Sequence, residues 1–392
     1  MNRIALMTLF AVTSPAMLFA APLTWTVSDG LQQFDNGVSP SVGLNSQGEV
    51  AVAHYAGNLK YSRLTSGGWV TETVDSRSQS GIHPSLAFDS AGVPHITYQT
   101  FPNFYYATRN NVTNTWSWEF AANYGVFNDL TFDSADRPHA SLVGWAGDNT
   151  VYHTTKSSGA WSTTTVDDGA IYYYNSTGIA LDASDYPHLV YSAVVGGNSE
   201  VRHSYQDGTG WHTEAILTGP NRGRGPSIDI DAAGKIHVTV FDDGNTDLLY
   251  VTNSGGTWSS SIIDSNARSE GHDWHARTAL TLLPGDVPAV AYFDDILNEL
   301  RFARKIGGVW ETQVVDNALS VGETPSIIFG PNGAPIIAYH DDTRDLFKIA
   351  FADAEILSAP IPEPSTFMLA GIGGLLVTAF GRRQPANRRM SS

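Results

Sequence analysis

Hydrophobic and polar positions recur along this chain with a long period, not with the period of a helix. Seven copies, most of them complete, run apolar strand, small turn, strand, loop, strand, glycine turn and tryptophan strand. Successive copies begin 44 to 52 residues apart, near Pro40, Pro84, Asn128, Thr177, Pro226, Thr278 and Pro325. Four short strands at this period indicate a β-propeller, so the chain is predicted to be an all-β, seven-bladed propeller of four-stranded blades.

The seventh copy is incomplete, and the start of the chain supplies what it lacks. A tryptophan strand recurs in the first six copies, at Trp69, Trp118 or Trp116, Trp161, Trp211, Trp258 and Trp310. The last copy stops near Asp353 without one, whereas residues 23–29 (LTWTVSD) read like residues 68–75 (GWVTETVD). A closed ring needs such an exchange, so residues 23–29 are predicted to pair beside residues 346–352. The tryptophans are predicted to pack between blades near the rim.

The composition of the chain excludes several kinds of site and argues against one class of partner. The chain has no cysteine, which excludes disulfides, thiol catalysis and cysteine-based zinc sites. Its formal charge is −17, which argues against a nucleic-acid partner. Residues 1–20 combine Arg3, an apolar run and small residues at the end, as a secretory signal peptide does. The propeller is therefore assigned to residues 21–357, and residues 358–392 form a separate tail.

The tail has three parts in a fixed order. Pro362-Glu363-Pro364 precedes an apolar segment, residues 366–380, and two arginine pairs follow it. This arrangement resembles the PEP-CTERM sorting signal of Gram-negative bacteria. The resemblance implies an exosortase as partner, transient anchoring in the inner membrane by residues 366–380, and export linked to exopolysaccharide production. The expected location is the cell surface or the extracellular matrix.

The repeats resemble those of secreted bacterial propellers with the pattern PSLALDSxGxPHISYY, here PSLAFDSAGVPHITYQT at residues 84–100. Such repeats are broadly akin to sialidase-type propellers. The sialidase Asp-box needs Ser-x-Asp-x-Gly before the tryptophan, and residues 66–69 read Ser-Gly-Gly-Trp instead. Sialidase catalysis is therefore not carried over.

The predicted topology sorts the loops into two faces. Loops after the second and fourth strands of each blade open on one side, called the first face, and the remaining loops open on the opposite face. The first face collects acidic and aromatic side chains, which are the candidate ligand-binding residues: Asp242, Asp243, Asp294, Asp295, Asp341, Asp342, Trp145, Tyr173, Arg224 and Trp274.

Three interpretations of this face compete. Carboxylates accept hydrogen bonds from sugar hydroxyls and aromatic rings stack on sugars, which suggests a glycan site. Clustered carboxylates also suit calcium, although no EF-hand loop is present. Alternatively, the aspartates only terminate strands and form turns. His272 and His275 are weak metal candidates, because no third ligand is spaced to complete a site.

A second histidine series opens the second strand of four consecutive blades, at the opposite face: His95, His139, His188 and His237. Structural repetition explains it better than catalysis. With no specific catalytic motif in the sequence, the chain is predicted to be an exported propeller that binds a glycan or exopolysaccharide and not an enzyme. A secreted polysaccharide hydrolase or lyase and a purely structural surface protein are the alternatives.

Overall fold

The computed structural model describes residues 22–32, 39–123, 125–144, 148–168, 176–268, 277–318 and 320–353. Its 28 strands form seven four-stranded antiparallel sheets, and no helix occurs among the described residues. Valine, isoleucine, tyrosine and threonine dominate the strands, as a pleated and half-buried backbone favours. The predicted seven-bladed propeller is confirmed.

Blades one to four follow each other along the chain, each running from the channel outward. Blade one contains β2 (Ser41–Leu44), β3 (Val50–Tyr55), β4 (Leu59–Thr65) and β5 (Gly68–Asp75). Blade two contains β6 (Ser80–Phe88), β7 (Pro94–Thr100), β8 (Asn103–Asn110) and β9 (Thr115–Ala122). Blade three contains β10 (Val126–Phe132), β11 (Pro138–Val143), β12 (Thr150–Lys156) and β13 (Trp161–Asp168). Blade four contains β14 (Gly178–Leu181), β15 (Pro187–Val195), β16 (Asn198–Asp207) and β17 (Gly210–Gly219).

Blades five to seven complete the ring. Blade five contains β18 (Arg222–Ile230), β19 (Ile236–Asp242), β20 (Asp247–Thr252) and β21 (Ser259–Asp264). Blade six contains β22 (Thr278–Leu283), β23 (Val287–Asp294), β24 (Glu299–Ile306) and β25 (Val309–Asp316). Blade seven contains β26 (Val321–Phe329), β27 (Pro335–Asp341) and β28 (Leu346–Ala352), with β1 (Trp25–Gln32) as its outermost strand.

The ring closes as the sequence predicts. Strand β1 pairs antiparallel with β28, placing Trp25 opposite Ala352 and Asp29 opposite Lys348. Arg344, in the loop before β28, contacts the Asp29 carboxylate at 2.9 Å. The chain's first described strand therefore covers an edge that β28 would otherwise leave unpaired.

The hydrophobic core is divided among the blade interfaces. Seven buried clusters lie between successive blades, and one partly buried tryptophan packs against each: Trp25, Trp69, Trp116, Trp161, Trp211, Trp258 and Trp310. In blade two the packing residue is Trp116, since Trp118 is 44% exposed. The predicted interblade role of the tryptophans is confirmed.

Four outer strands have a Val-Asp or Ile-Asp pair at or near their ends, and the aspartate of this pair has a structural role. At four interfaces this aspartate accepts a hydrogen bond from a tyrosine hydroxyl of the next blade, at 2.6 to 2.9 Å, in the pairs Tyr98–Asp75, Tyr191–Asp167, Tyr292–Asp264 and Tyr339–Asp316. A cation joins each pair: Arg77, Arg202, Arg301 and Lys348. The bonds fasten neighbouring blades together.

The inner strands are joined around the central channel in a similar way. A side-chain oxygen near the start of one inner strand accepts a hydrogen bond from a backbone N–H of the next, as Ser41 does from Leu86 at 2.9 Å. Ser85, Asp129, Ser227 and Ser326 repeat the contact. Gly178 and Ala279 occupy the same position in blades four and six and carry no acceptor.

The chain divides after residue 357. Among the described residues no helix is long and apolar enough to cross a membrane. The predicted signal peptide (1–20), the Pro362-Glu363-Pro364 motif and the apolar segment 366–380 all lie outside the described residues.

Candidate functional site

Three adjacent blades present the predicted aspartate pairs at the ends of their second strands. The first aspartate of each pair is the last residue of β19, β23 or β27, and each is at most 1% exposed: Asp242, Asp294 and Asp341. The second aspartate begins the following loop. Asp342 is exposed, and Asp243 and Asp295 are partly buried.

The first aspartates close the turns that follow them. Asp294 Oδ1 accepts the backbone N–H of Ile296 at 3.0 Å, and Asp341 Oδ1 accepts that of Arg344 at 3.1 Å. Asp242 Oδ2 accepts the side-chain amide of Asn245 at 2.9 Å. These are the local bonds that favour aspartate where a strand ends.

Arginines lie beside the same carboxylates. Asp242 Oδ2 lies 2.8 Å from Arg222 Nε, and Asp341 Oδ2 lies 2.7 Å from an Arg344 nitrogen. Burial raises the pKa of Asp294, with Arg301 3.5 Å away opposing that shift. Each first aspartate thus has a partner inside the protein, although Asp242 Oδ1 is buried without a hydrogen-bond partner among the described residues.

The second aspartates connect the loops of the first face. The backbone N–H of Asp295 binds the carbonyl of Arg268 at 3.2 Å, and that of Asp342 binds the carbonyl of Ser320 at 3.1 Å. Asp243 Oδ2 lies 3.3 Å from Arg224 Nε, an ion pair within blade five. These contacts bring the loop after a second strand against the loop that enters the same blade.

Several predicted site residues lie outside the described part of the chain. They are Trp145, Tyr173, His272, Trp274 and His275. The glycan, calcium and histidine-metal hypotheses that involve them therefore stay predictions.

A cavity of about 160 Å³ occupies the central channel near the first face. Residues at the Pro-Ser pairs of the inner strands and at their equivalents, such as Pro84-Ser85 and Pro325-Ser326, line it, and most of its surface is polar because serine, threonine, asparagine and aspartate recur there. Two charged residues stand out in this lining, Asp129 of blade three and Arg277, the residue directly before β22 in blade six. The sequence analysis did not single out either residue.

The two side chains interact electrostatically, and burial shifts the pKa of each. Burial raises the pKa of the Asp129 carboxyl, while the Arg277 charge and three hydrogen bonds oppose the rise. Burial lowers the pKa of the Arg277 guanidinium, and Asp129 opposes this. Arg277 Nη2 is buried and has no hydrogen-bond partner within the described structure. The cavity lining therefore contains a buried donor that is unpaired among the described residues, together with a carboxylate that accepts three hydrogen bonds.

Asp129 and Arg277 both differ from the residue types that the other blades carry at the same positions, and this difference is visible in the sequence. Blades one, two, five and seven place Pro-Ser where Asn128-Asp129 stands in blade three. The position before this pair is Ser39, His83, Phe127, Ser176, Gly225 and Thr324 in the other blades and Arg277 in blade six. The sequence places a cation there in a single blade.

The opposite face is uniform by comparison. Each histidine of the predicted series points one ring nitrogen at an aspartate of the preceding turn, in the pairs His95–Asp89, His139–Asp133, His188–Asp182 and His237–Asp231. The other nitrogen meets a third-strand side chain, namely Tyr106, His153, His203 or Tyr250. The same arrangement in four blades supports the structural role predicted for these histidines.

The family model of the PEP-CTERM protein-sorting motif matches residues 360–384. The predicted sorting signal is confirmed, and it implies an exported protein that is anchored in the membrane before exosortase processing. No curated protein matches the sequence at a significant level.

Solved structures resemble the propeller in fold. An ulvan lyase from a new family of polysaccharide lyases superimposes with a TM-score of 0.57 at 11% identity, covering 81% of this chain and 95% of that chain. AofleA from Arthrobotrys oligospora gives 0.51 at 14%, covering 76% and 90%. The NanB sialidase from Streptococcus pneumoniae gives 0.43 at 14%, covering 86% and 70%. At these identities the likeness to the first two structures shows the fold alone.

Proposed function

We propose that this exported propeller binds a glycan at the mouth of its central channel on the first face. It acts at the cell surface or in the extracellular matrix, after an exosortase has processed the chain near Pro362-Glu363-Pro364. The observation that carries the proposal is the polar cavity with Arg277 Nη2 unpartnered in its lining.

The chemistry of the cavity suits a sugar. Hydroxyl and carboxamide groups of the inner strands both donate and accept hydrogen bonds, as sugar hydroxyls require. The guanidinium of Arg277 offers planar donors to a hydroxyl, carboxylate or acetamide oxygen. A volume of about 160 Å³ lies below the roughly 300–1,000 Å³ of drug-sized ligand pockets. One sugar unit or substituent would enter, and the rest of the glycan would lie over the loops.

The net charge of the protein limits the kinds of glycan that it can bind. The formal charge of −17 opposes association with a dense polyanion. Asp129 and Arg277 carry opposite charges in this lining, and each influences the pKa of the other. A neutral or sparsely acidic polysaccharide fits better than a heavily sulfated one. By analogy, an ulvan lyase of this fold described as bound to -[GlcA(1-4)Rha3S]- supports a glycan ligand.

A secreted hydrolase or lyase is the second candidate. It is favoured by the raised pKa of Asp129 in the cavity wall, since a general acid needs such a shift. Against it, the Asp129 carboxylate accepts bonds from Leu130 N–H at 3.0 Å, Ile179 N–H at 3.3 Å and the Ser85 hydroxyl at 3.3 Å. A carboxylate that accepts three hydrogen bonds from within the protein helps to join the inner strands. Glycan binding without turnover is therefore the better proposal.

A glycan array with the purified full-length chain, run with and without calcium, tests the proposal. Arg277→Gln should weaken binding of the best array ligand at least tenfold, because it removes the unpartnered donor, and Arg277→Lys should restore part of it. Lys235→Gln, on an opposite-face turn, is the control and should bind like the parent. Absence of any array ligand, or equal binding by Arg277→Gln and Lys235→Gln, would reject the channel-mouth site. Turnover that is lost in Asp129→Asn would instead establish the enzyme.

A further inference from the structure

Three side chains of blade seven converge away from the cavity lining. One ligand atom from each of Glu323, His340 and Asp342 lies within 4.8 Å of the others. Glu323 is 5% exposed, His340 is 1% exposed, and Asp342 is open to solvent. The group is therefore a half-open cluster of two carboxylates and one imidazole at the first face.

The backbone accounts for this convergence. Glu323 of β26 pairs directly with His340 of β27, and the register shifts on both sides of Glu323, which marks a bulge. Thr324, the next residue, has a positive φ of 47° within that bulge. Bulges re-aim side chains and are common beside functional sites. Asp342 follows β27 and is held to the entering loop through the carbonyl of Ser320 at 3.1 Å.

His340 is the unusual member of the cluster. Neither ring nitrogen has a hydrogen-bond partner among the described residues, although the side chain is buried. Its Nδ1 lies 3.7 Å from Glu323 Oε2, beyond hydrogen-bonding distance. Buried polar groups in native proteins are nearly always paired, so an unpaired imidazole facing two carboxylates needs an explanation.

Blade five shows the same positions used differently. There Arg224 replaces Glu323, Phe241 replaces His340 and Asp243 replaces Asp342, in the same register. Arg224 supplies a cation 3.3 Å from Asp243. In blade seven a carboxylate takes the place of that arginine, and an imidazole takes the place of the phenyl ring. Both substitutions replace a group that cannot bind a metal with one that can.

We propose that Glu323, His340 and Asp342 bind one divalent transition-metal ion, with Zn²⁺ the best fit and Mn²⁺ the second. Imidazole favours such ions, whereas Ca²⁺ takes oxygen ligands only. Tetrahedral zinc with bonds of about 2.0–2.1 Å needs ligand atoms about 3.4 Å apart. The three ligand atoms lie within 4.8 Å of one another, so small side-chain shifts on metal binding would bring them to that spacing. Three protein ligands leave a fourth position for water, and the ion would tie the loop of Asp342 to the inner strand.

Metal titration of the full-length chain tests the site. After treatment with EDTA and dialysis, ZnCl₂, MnCl₂ and CaCl₂ are each titrated by calorimetry, and thermal unfolding is followed in parallel. We expect one Zn²⁺ per chain, weaker Mn²⁺ binding, no saturable Ca²⁺ binding at these residues, and a rise in melting temperature with zinc.

The variants separate the site from adventitious binding. His340→Phe places in blade seven the residue that blade five carries, so it should fold and lose at least tenfold in zinc affinity, while Glu323→Gln gives a second test if it does not fold. His212→Gln, which removes an exposed histidine 3.0 Å from Asp207, should keep the zinc affinity of the parent. The proposal is overturned by the absence of saturable zinc binding, or by a zinc affinity that survives both His340→Phe and Glu323→Gln.

Discussion

The two faces of the propeller differ in how closely their residues follow the sequence repeat. On the opposite face, the turn between the first two strands reuses one arrangement, in which Asp231 accepts the N–H groups of Ala233 and Lys235 and meets His237. On the first face, equivalent positions change from blade to blade, so that Arg277, Glu323 and His340 each occur once. In this ring, the features that recur hold the fold, and the features that depart from the repeat are the candidates for function.

Removing the closing strand should have the largest effect, and it should damage both faces. Deletion of residues 22–32 takes Trp25 from its cluster and exposes the edge of β28. Truncating a buried tryptophan alone costs about 3–5 kcal/mol, so we expect a loss of more than about 5 kcal/mol or no cooperative transition. Thermal unfolding by circular dichroism measures this.

Arg344→Ala is the matched control for the closing strand. It removes the partly exposed contact with Asp29 and the ion pair with Asp341, so we expect a loss of about 1–3 kcal/mol, well below that of the deletion. An unchanged melting temperature after the deletion would contradict the closed ring.

Lowering the pH should reduce the free energy of unfolding through the buried histidines behind the opposite face. Burial lowers the pKa of His153 to about 3 and that of His188 to about 4, well below the ordinary histidine value of 6.5. The unfolded chain therefore takes up protons that the folded chain refuses, and stability falls as pH drops below about 6.5 towards these values. Between pH 6.5 and 5 each histidine should cost roughly 2 kcal/mol.

Urea unfolding at pH 7 and pH 5 measures this loss. His153→Gln should flatten the pH dependence, and His212→Gln, at an exposed position, should leave it unchanged. Equal unfolding free energies of the parent protein at the two pH values would show that these histidines are not buried as neutral groups.

The turns of the opposite face should matter for stability and not for binding. Asp231→Ala leaves two backbone N–H groups and His237 without their acceptor, which should cost about 1–3 kcal/mol in urea unfolding. Asp243→Asn on the first face weakens one ion pair and should cost at most about 1 kcal/mol. A loss of glycan binding in Asp231→Ala without a loss of stability would reverse the roles of the two faces.

The sequence predicts the fold well because the fold is periodic. The tryptophans and the exchanged strand at residues 23–29 follow from comparing copies with one another, and both predictions are confirmed. The placement of Arg277 and Asp129 in one cavity lining was not predictable in the same way. The two residues are separated by almost three blades along the chain and share this lining only because the ring brings all inner strands to one channel.

Recurrence also explains the aspartate pairs. Asp242, Asp294 and Asp341 are ligand candidates because three blades share an aspartate pair at this place, and a shared position is equally typical of a structural role. The structure shows each one closing a turn. The second aspartates differ in their surroundings, since Asp243 faces Arg224 whereas Asp342 faces His340 and Glu323. The two aspartates differ because their neighbours on the adjacent strand differ. The sequence of one strand does not show which residues lie beside it on another strand.

Hydrogen–deuterium exchange with and without the best glycan from the array tests the difference between the faces most directly. The account predicts slower exchange on binding in the inner strands that line the channel mouth, above all around residues 126–132 and 277–283, with no change in the turns at residues 89–95 and 231–237. Protection confined to those opposite-face turns, or to the rim strands that carry the tryptophans, would contradict it.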